Sequence, residues 1–348
     1  MRKLTILFCL FIAQQLSAQT SIKILTEKKG VSLRGLSVPS EKVIWASGSK
    51  GSVALSVDGG NTFTWSQVQG YETRDFRAIH AWNKQEAIIV AVAAPAIILK
   101  TIDGGAHWNK VYENKDTSMF LDAIAFKNDK EGSVIGDPIN DTIYLLKTTN
   151  KGQDWERVGA GFWKSKVAKG EAFFASSNSN LAYLDDKIVF ISGGIKSRLW
   201  IDGAAMEIPI IQGTNSTGAN SLSISPNLNQ IIIAGGDFTK PAELNHNFIK
   251  LNRFKYPNTT NKHLSENAYF WEIDKRVKNL NGYKSSLVFL SNKLIIAAGT
   301  SGVDISKNKG KNWEKISAES FHVVKGQPNK KAAFFAGSGG RIGYYLFE

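Results

Sequence analysis

The sequence predicts an all-β fold built from about seven copies of one unit, and three observations predict it. The first is a motif that occurs four times. Ser56-Val57-Asp58-Gly59-Gly60-Asn61-Thr62-Phe63, Thr101 to Trp108, Thr148 to Trp155 and Ser306 to Trp313 all read Ser/Thr, any residue, Asp/Asn, any residue, Gly, two more residues, then an aromatic. The second is a recurring short strand that begins polar, small, apolar: Arg34-Gly35-Leu36, Arg77-Ala78-Ile79, Asp122-Ala123-Ile124, Glu171-Ala172-Phe173, Asn220-Ser221-Leu222 and Ser285-Ser286-Leu287, with a looser copy at Ser320-Phe321-His322. The third is that each of these is followed by a run rich in Val, Ile, Phe and Ala that ends in a glycine-rich turn. Short β-rich runs with regular turn signals and no helical periodicity argue all-β, and a repeat at fixed spacing decides the architecture before any single residue is read.

The motif has a physical rationale. An Asp or Asn side chain accepts hydrogen bonds from backbone N–H groups of its own turn. The Gly two positions on supplies the positive φ that closes a hairpin. The aromatic opens the next strand and packs its ring into the unit. The pattern resembles the Asp-box, or bacterial neuraminidase repeat, the hairpin turn between the two outer strands of a β-propeller blade. Asp58, Asp103, Asn150 and Asn308 are accordingly read as structural turn residues.

Propeller blades run ~40–50 residues, which allows seven blades in the roughly 330 residues after the first 18. The inner-strand motifs step by 43, 45, 49, 49, 65 and 35 residues, and the long step holds a polar insertion around 257–266. Expected second strands are Val43 to Gly48, Ala87 to Ala93, Ser133 to Gly136, Ile188 to Gly193, Ile231 to Gly236, Leu294 to Gly299 and Ala332 to Gly337. Blades four and five lack the box, and blade seven has no room for it. Ser21-Ile22-Lys23-Ile24-Leu25 alternates polar and apolar and is expected to complete blade seven from the N-terminal side, because closing the ring hides its edges. A six-bladed ring with irregular insertions is the alternative.

With seven blades and Asp-boxes the chain resembles the photosystem II stability/assembly factor family, and more broadly the sialidase-like propellers. The residues carrying the likeness are Leu33 to Leu36, Asp75 to Ile79, Leu99 to Gly105, Gly299 to Asp304 and the four boxes. The resemblance implies fold strongly and function weakly, since one fold hosts many jobs. Assembly factors of this type bind partner proteins and have no known catalysis, whereas similar bacterial propellers carry oxidoreductase or glycosyl hydrolase labels.

Composition bounds the setting. Arg2 and Lys3, an apolar run Leu4 to Ala13 and then Leu16-Ser17-Ala18 read as a secretory signal peptide cleaved after Ala18, leaving 19–348 as a single propeller domain. Phe8 spoils a lipoprotein cleavage site at Cys9, the only cysteine, so the mature chain would carry no thiol, disulfide or Cys metal site. A periplasmic or secreted location follows, with no membrane span and a monomer expected. Without Arg2 and Lys3, 41 basic residues face 30 acidic ones, a formal charge of about +11. The basic residues are spread along the chain, not gathered in the stripe a nucleic-acid binder shows. An acidic protein face, an anionic glycan or anionic lipid headgroups are the partners that fit such a surface outside the cytoplasm.

No cofactor motif survives inspection. Gly337 to Gly343 is the only dinucleotide-like glycine run, but a strand follows it, and the phosphate chemistry needs a helix N-terminus. The histidines at 80, 107, 246, 263 and 322 form no close pair at metal-ligand spacing, so no metal is assigned. Function candidates come from aligning the inner strands. Their leading polar residues would ring the channel mouth as Arg34, Arg77, Asp122, Glu171, Asn220 and Ser285, with Ser320 as a weaker seventh. Two neighbouring cations could grip a carboxylate with a bidentate fork, and an Asp–Glu pair could share a proton. Arg198 and Arg341 from top-face loops could add to an anion clamp, and Ile210 to Asn220 could overhang the same mouth.

Three functions remain open on the sequence. One is a binding or assembly scaffold holding a protein or glycan at the top face. A second is a sialidase-like glycosidase acting through Asp122 and Glu171, for which two carboxyl groups must flank the scissile bond. That reading lacks both the Arg-Ile-Pro signature and a third clamping arginine. The third is an envelope protein whose channel is closed by Arg–carboxylate salt bridges. Whether there is catalysis stays open, and a glycosidase fits the residues better than an oxidoreductase.

Overall fold

A computed structural model of the chain describes residues 21–255 and 269–347. The expected signal peptide and the insertion at 257–266 lie outside the described residues. The described residues form five sheets of four strands and one of nine, all antiparallel. The nine-stranded sheet joins two neighbouring units through the single residue pair Gly193–Gly218. The result is seven blades whose innermost strands are Leu33–Ser37, Phe76–Ala81, Leu121–Phe126, Leu181–Leu184, Thr217–Ile224, Ser286–Phe289 and Val323–Gly326. Each of these touches the next, and the seventh touches the first. The ring is a β-propeller.

The core explains why the second strands are so apolar. It consists of seven clusters, one in each interface between neighbouring blades. A strand inside a blade is therefore covered on both faces and reads as a continuous apolar run. In Ala87–Ala91 the odd positions Ala87, Ile89 and Ala91 face blade one, while Ile88 and Val90 face blade three. The seven expected second strands are present, each with ends within about three residues of those read from sequence.

Closure is also as expected. Lys23–Thr26 is the outer strand of blade seven and pairs antiparallel with Ile342–Leu346, Lys23 opposite Tyr344 and Ile24 opposite Gly343.

The four boxes share one hydrogen-bond scheme. In blade two, Thr101 Oγ1 donates to Asp103 Oδ1 (2.8 Å) and accepts from the Gly105 amide (3.0 Å), while Asp103 Oδ1 accepts from the His107 amide (3.0 Å). The same bonds recur at Ser56/Asp58, Thr148/Asn150 and Ser306/Asn308. The aromatic of the box packs between blades, not only within its own. Trp108 meets Trp45 of blade one edge-on at 6.3 Å, and Trp313 meets Phe248 of blade five at 5.0 Å. Gly152 shows why this turn needs glycine: its φ is +73°, and a Cβ there would sit 2.3 Å from Ile88 of blade two.

Blade four departs from the repeat. The sequence suggested one inner strand from Glu171 through Phe173. Instead Glu171–Ala172 pairs with Gly193–Gly194, the chain leaves the sheet, and it returns at Leu181–Leu184 to pair with Lys187–Phe190. The excursion, residues 173–180, crosses the centre of the ring. A buried loop must satisfy its own polar groups, and the run Ser176-Ser177-Asn178-Ser179-Asn180 does so against the other blades.

Contacts from this loop reach all six of them. Ser176 O accepts from Arg34 of blade one (3.3 Å), and Asn178 Nδ2 donates to Ile79 O of blade two (2.9 Å). Asn178 Oδ1 accepts from the Ile124 amide of blade three (2.8 Å), and Ser179 Oγ donates to Ser221 Oγ of blade five (2.7 Å). Ser177 Oγ donates to Ser285 O of blade six (2.5 Å), and Lys325 Nζ of blade seven donates to Asn178 O (3.3 Å). The channel is thus plugged in its middle and open at both ends.

Candidate functional site

The upper mouth lies where the inner strands begin. Four expected rim residues, Arg34, Arg77, Asp122 and Asn220, each fall at a register shift where the inner strand carries one extra residue. A β-bulge re-aims the side chain of that residue, which is why the polar position points out of a strand that otherwise packs between blades.

The ring expected from sequence divides here. Arg34, Arg77, Asn220 and Ser285 line a cavity of about 490 Å³ at the mouth. Asp122 and Glu171 do not line it. Asp122 is fully buried. The amides of Ala175 and Asp137 lie toward its carboxyl, but neither meets it in hydrogen-bonding geometry. Burial, followed by repulsion from Asp137, lifts its pKa well above the usual carboxylate range.

Glu171 is committed inside blade four. Its oxygens accept from Arg198 Nε (2.9 Å) and Nη2, from Ser192 Oγ, from Trp200 Nε1 (3.2 Å) and from the Ala168 amide (2.8 Å). Arg198 lies over the Trp200 ring as well, 4.5 Å from its centroid. Arg341 pairs with Glu27 (3.2 Å) and Glu319 (3.5 Å) at the surface. Neither Arg198 nor Arg341 lines the mouth. The position equivalent to Ser285 in blade seven is His322, not Ser320: the amides of Ser285 and His322 donate to Ala298 and Ala336 in the same register.

Several mouth residues had no signal of their own in the sequence. Asp137 accepts from the Phe173 amide (2.8 Å), which anchors the start of the plug. Tyr283 donates to Asn220 Oδ1 (2.9 Å), and Ser176 Oγ donates to the same atom (3.3 Å). Phe120, Phe173, Phe174 and Phe238 form an aromatic collar, in which Phe238 packs edge-on against Phe174 (6.1 Å) and Tyr283 (6.5 Å). Phe238 is 46% exposed, unusual for a ring with two aromatic neighbours. The expected overhang is present, since Asn215 from the 210–220 loop lines the cavity.

Two guanidiniums and one carboxylate, Asp137, line the mouth. Burial, followed by repulsion from Arg77, lowers the Arg34 pKa. Arg34 spends one donor on Ser176 O, and Arg77 spends Nε on Asp75 (2.7 Å). A guanidinium has five N–H donors, so both retain capacity. His322 Nε2 shares a hydrogen bond with Ser338 Oγ (2.9 Å). Burial and the two arginines hold its pKa down to about 3, so it stays neutral. Burial lifts the Asp137 carboxyl to about 6. Among the described residues no group of three or more His, Cys, Asp or Glu could hold a metal ion. No described helix is long and apolar enough to cross a membrane.

This geometry agrees with what the chain is similar to. Residues 79–162 match the family model of the photosynthesis system II assembly factor YCF48. No curated protein matches the chain in sequence. Among solved structures, YCF48 bound to D1 peptide is 15% identical, covers 93% of this chain and 96% of its own, and superposes with a TM-score of 0.58. YCF48 from Cyanidioschyzon merolae is 16% identical over 94% of this chain and 99% of its own, with a TM-score of 0.59. The WD40 β-propeller domain of Doa1 is 12% identical over 94% and 98%, also at 0.59. At such identities these structures show the fold alone. Repeat and fold together make the chain an Asp-box β-propeller, and over residues 79–162 it is similar to the assembly-factor family.

Proposed function

We propose that this assembly-factor-like propeller is a binding scaffold that grips a carboxylate-bearing segment of a partner protein at its upper mouth. One observation carries the proposal: Arg34 and Arg77 stand side by side, with donors to spare, on the floor of a cavity collared by phenylalanines. Such a pair offers bidentate hydrogen bonds to a carboxylate, and the collar takes the apolar side chains beside it. A related propeller has been solved with a peptide bound, which supports the same kind of use here. The signal-like N-terminus and the positive surface suit an exported monomer working in the periplasm or outside the cell.

A uronic or sialic acid carboxylate has the same local chemistry, so glycans belong in the test. The glycosidase reading lacks support in the geometry. Catalysis needs two carboxyl groups facing one open space, whereas Asp122 is buried and both Glu171 oxygens are occupied.

The test is calorimetry on the purified chain with acidic-terminus peptides, their C-terminal amides, and a panel of anionic glycans and glycosides. Peptide acids should bind, the amides roughly tenfold or more weakly, and Arg34→Ala or Arg77→Ala should give a similar loss. Binding that ignores both arginines would overturn the reading. Glycoside turnover lost in Asp122→Asn would replace it with the hydrolase.

A further inference from the structure

The lower mouth, beneath the plug, is a second cavity, of about 910 Å³, and no part of the function above uses it. Its walls are the far ends of the inner strands. Val38, Phe126, Ala182, Val288 and Leu290, each partly exposed, give it an apolar collar, and Lys325 stands at its floor against the plug. We propose that this cavity is a binding site for a monocarboxylate with an apolar chain, held head-down with its carboxylate on Lys325.

The charge census points to an anion. The titratable groups lining the cavity are His80, Lys127, Tyr183, Lys325, Lys330 and Lys331, and none is a carboxylate. Lys127 is neutralised by Glu131 (3.0 Å) and Asp186 (2.8 Å), and Lys330 by Glu41 (3.3 Å). Lys331 sits at the exposed rim. Tyr183 shares its hydroxyl with Ser133 (2.8 Å). Lys325 has only the carbonyl of Asn178, at 3.3 Å, and among the described residues it forms no ion pair.

Lys325 is partly exposed to the cavity, but an ammonium held against the plug with one neutral partner is still costly to keep charged. Burial accordingly lowers the Lys325 pKa to about 8. His80 beside it is held near 4 by burial and by Lys325, so it brings no competing charge at neutral pH. One compact point charge within an apolar collar matches one carboxylate better than a phosphate, which favours a planar guanidinium fork or several donors. The volume lies within the usual range of small-molecule sites.

Octanoate tests this directly, with octanol, acetate and octyl phosphate beside it, by calorimetry at pH 7. Octanoate should bind, and octanol and acetate should each bind at least tenfold more weakly, because each lacks one half of the recognition. Octyl phosphate binding as tightly as octanoate would overturn the assignment to a carboxylate. Lys325→Met should remove octanoate binding while Lys325→Arg keeps it, and Arg34→Ala should leave it unchanged, which separates this site from the upper mouth.

Should Lys325→Met unfold, the wild-type chain still decides. After reductive ¹³C-methylation, the resonance that titrates near pH 8 and is missing from Lys325→Arg should shift to higher pKa on adding octanoate. Octanoate affinity should also fall as pH rises past about 8, where the free amine loses its proton. No octanoate binding to the wild-type chain, binding unaffected by Lys325→Met, or a Lys325 resonance indifferent to octanoate would each overturn the proposal.

Discussion

Blade two and blade four occupy equivalent places in the ring and hold them by different means. Blade two has an unbroken inner strand, and its outer hairpin is closed by a box that repeats one set of short-range bonds. Blade four has no box. Its outer hairpin turns on Asp202-Gly203, and the preceding segment covers it: the Lys164 amide donates to Gly203 O (2.8 Å), and Ser165 Oγ accepts from the Ala205 amide (3.0 Å). Its inner strand is opened to make the plug, and Glu171 at the opening is held by a partly buried arginine, a serine and a tryptophan. The difference teaches where the irregularity of this propeller belongs: the boxes distribute small local contributions, while blade four concentrates large, long-range ones at the ring's centre.

That contrast can be broken first at Glu171. Glu171→Ala leaves Arg198 partly buried without its carboxylate and should cost about 3–5 kcal/mol, measured by urea denaturation. A loss below about 1 kcal/mol would show that the cluster is dispensable. Asn178→Ala comes next. It strands the Ile124 amide and the Ile79 carbonyl in the plug and should cost roughly 3 kcal/mol, with smaller loss for Asn178→Asp if one bond survives. Thr148→Ala in the blade-three box removes one buried hydroxyl bonded to Asn150 and Gly152 and should cost about 1 kcal/mol. If a box substitution rivalled the plug substitution, the division of labour drawn here would fail.

The gentlest probe is pH. Asp137 has a folded-state pKa of about 6, raised above the ordinary value of 3.8. The fold favours its protonated form, so its contribution to stability declines as pH rises from about 4 through 6. On the same change its charge appears in the cavity that Arg34 and Arg77 line. An anionic peptide should therefore bind the upper mouth more tightly at pH 5.5 than at pH 7.5, and Asp137→Asn should flatten that profile. A profile unchanged by Asp137→Asn would remove this residue from the electrostatics of the site.

Much of the fold was legible because the repeat writes it out. Gly60, Gly105, Gly152 and Gly310 announce their hairpins, and Ile24 and its neighbours announce the closing strand. The mouth was half legible. Arg34, Arg77, Asn220 and Ser285 could be aligned from a polar-small-apolar pattern, but the bulges that turn Arg34, Arg77 and Asn220 outward leave no mark on that pattern. Glu171 shared the pattern and not the environment, because its partner Arg198 lies 27 residues away and only the folded sheet brings them together. The plug had one overlooked signal: five consecutive Ser and Asn residues, 176–180, are a poor strand and a good polar loop. Tyr283 and Phe238 reach the mouth through tertiary packing alone.

The strand that closes blade seven links Lys23 to Tyr344, nearly the greatest sequence separation the chain can have. Loop closure of that span is entropically unfavourable until the other contacts have formed. That cost favours late latching of blade seven, and an unlatched ring would leave both edge strands open to other chains. The same adjacency makes the molecule nearly circular. Joining Ile22 to Phe347, which flank that pairing, with a short linker and cutting instead in a surface loop between other blades would give a permutant whose closing strands follow one another in sequence.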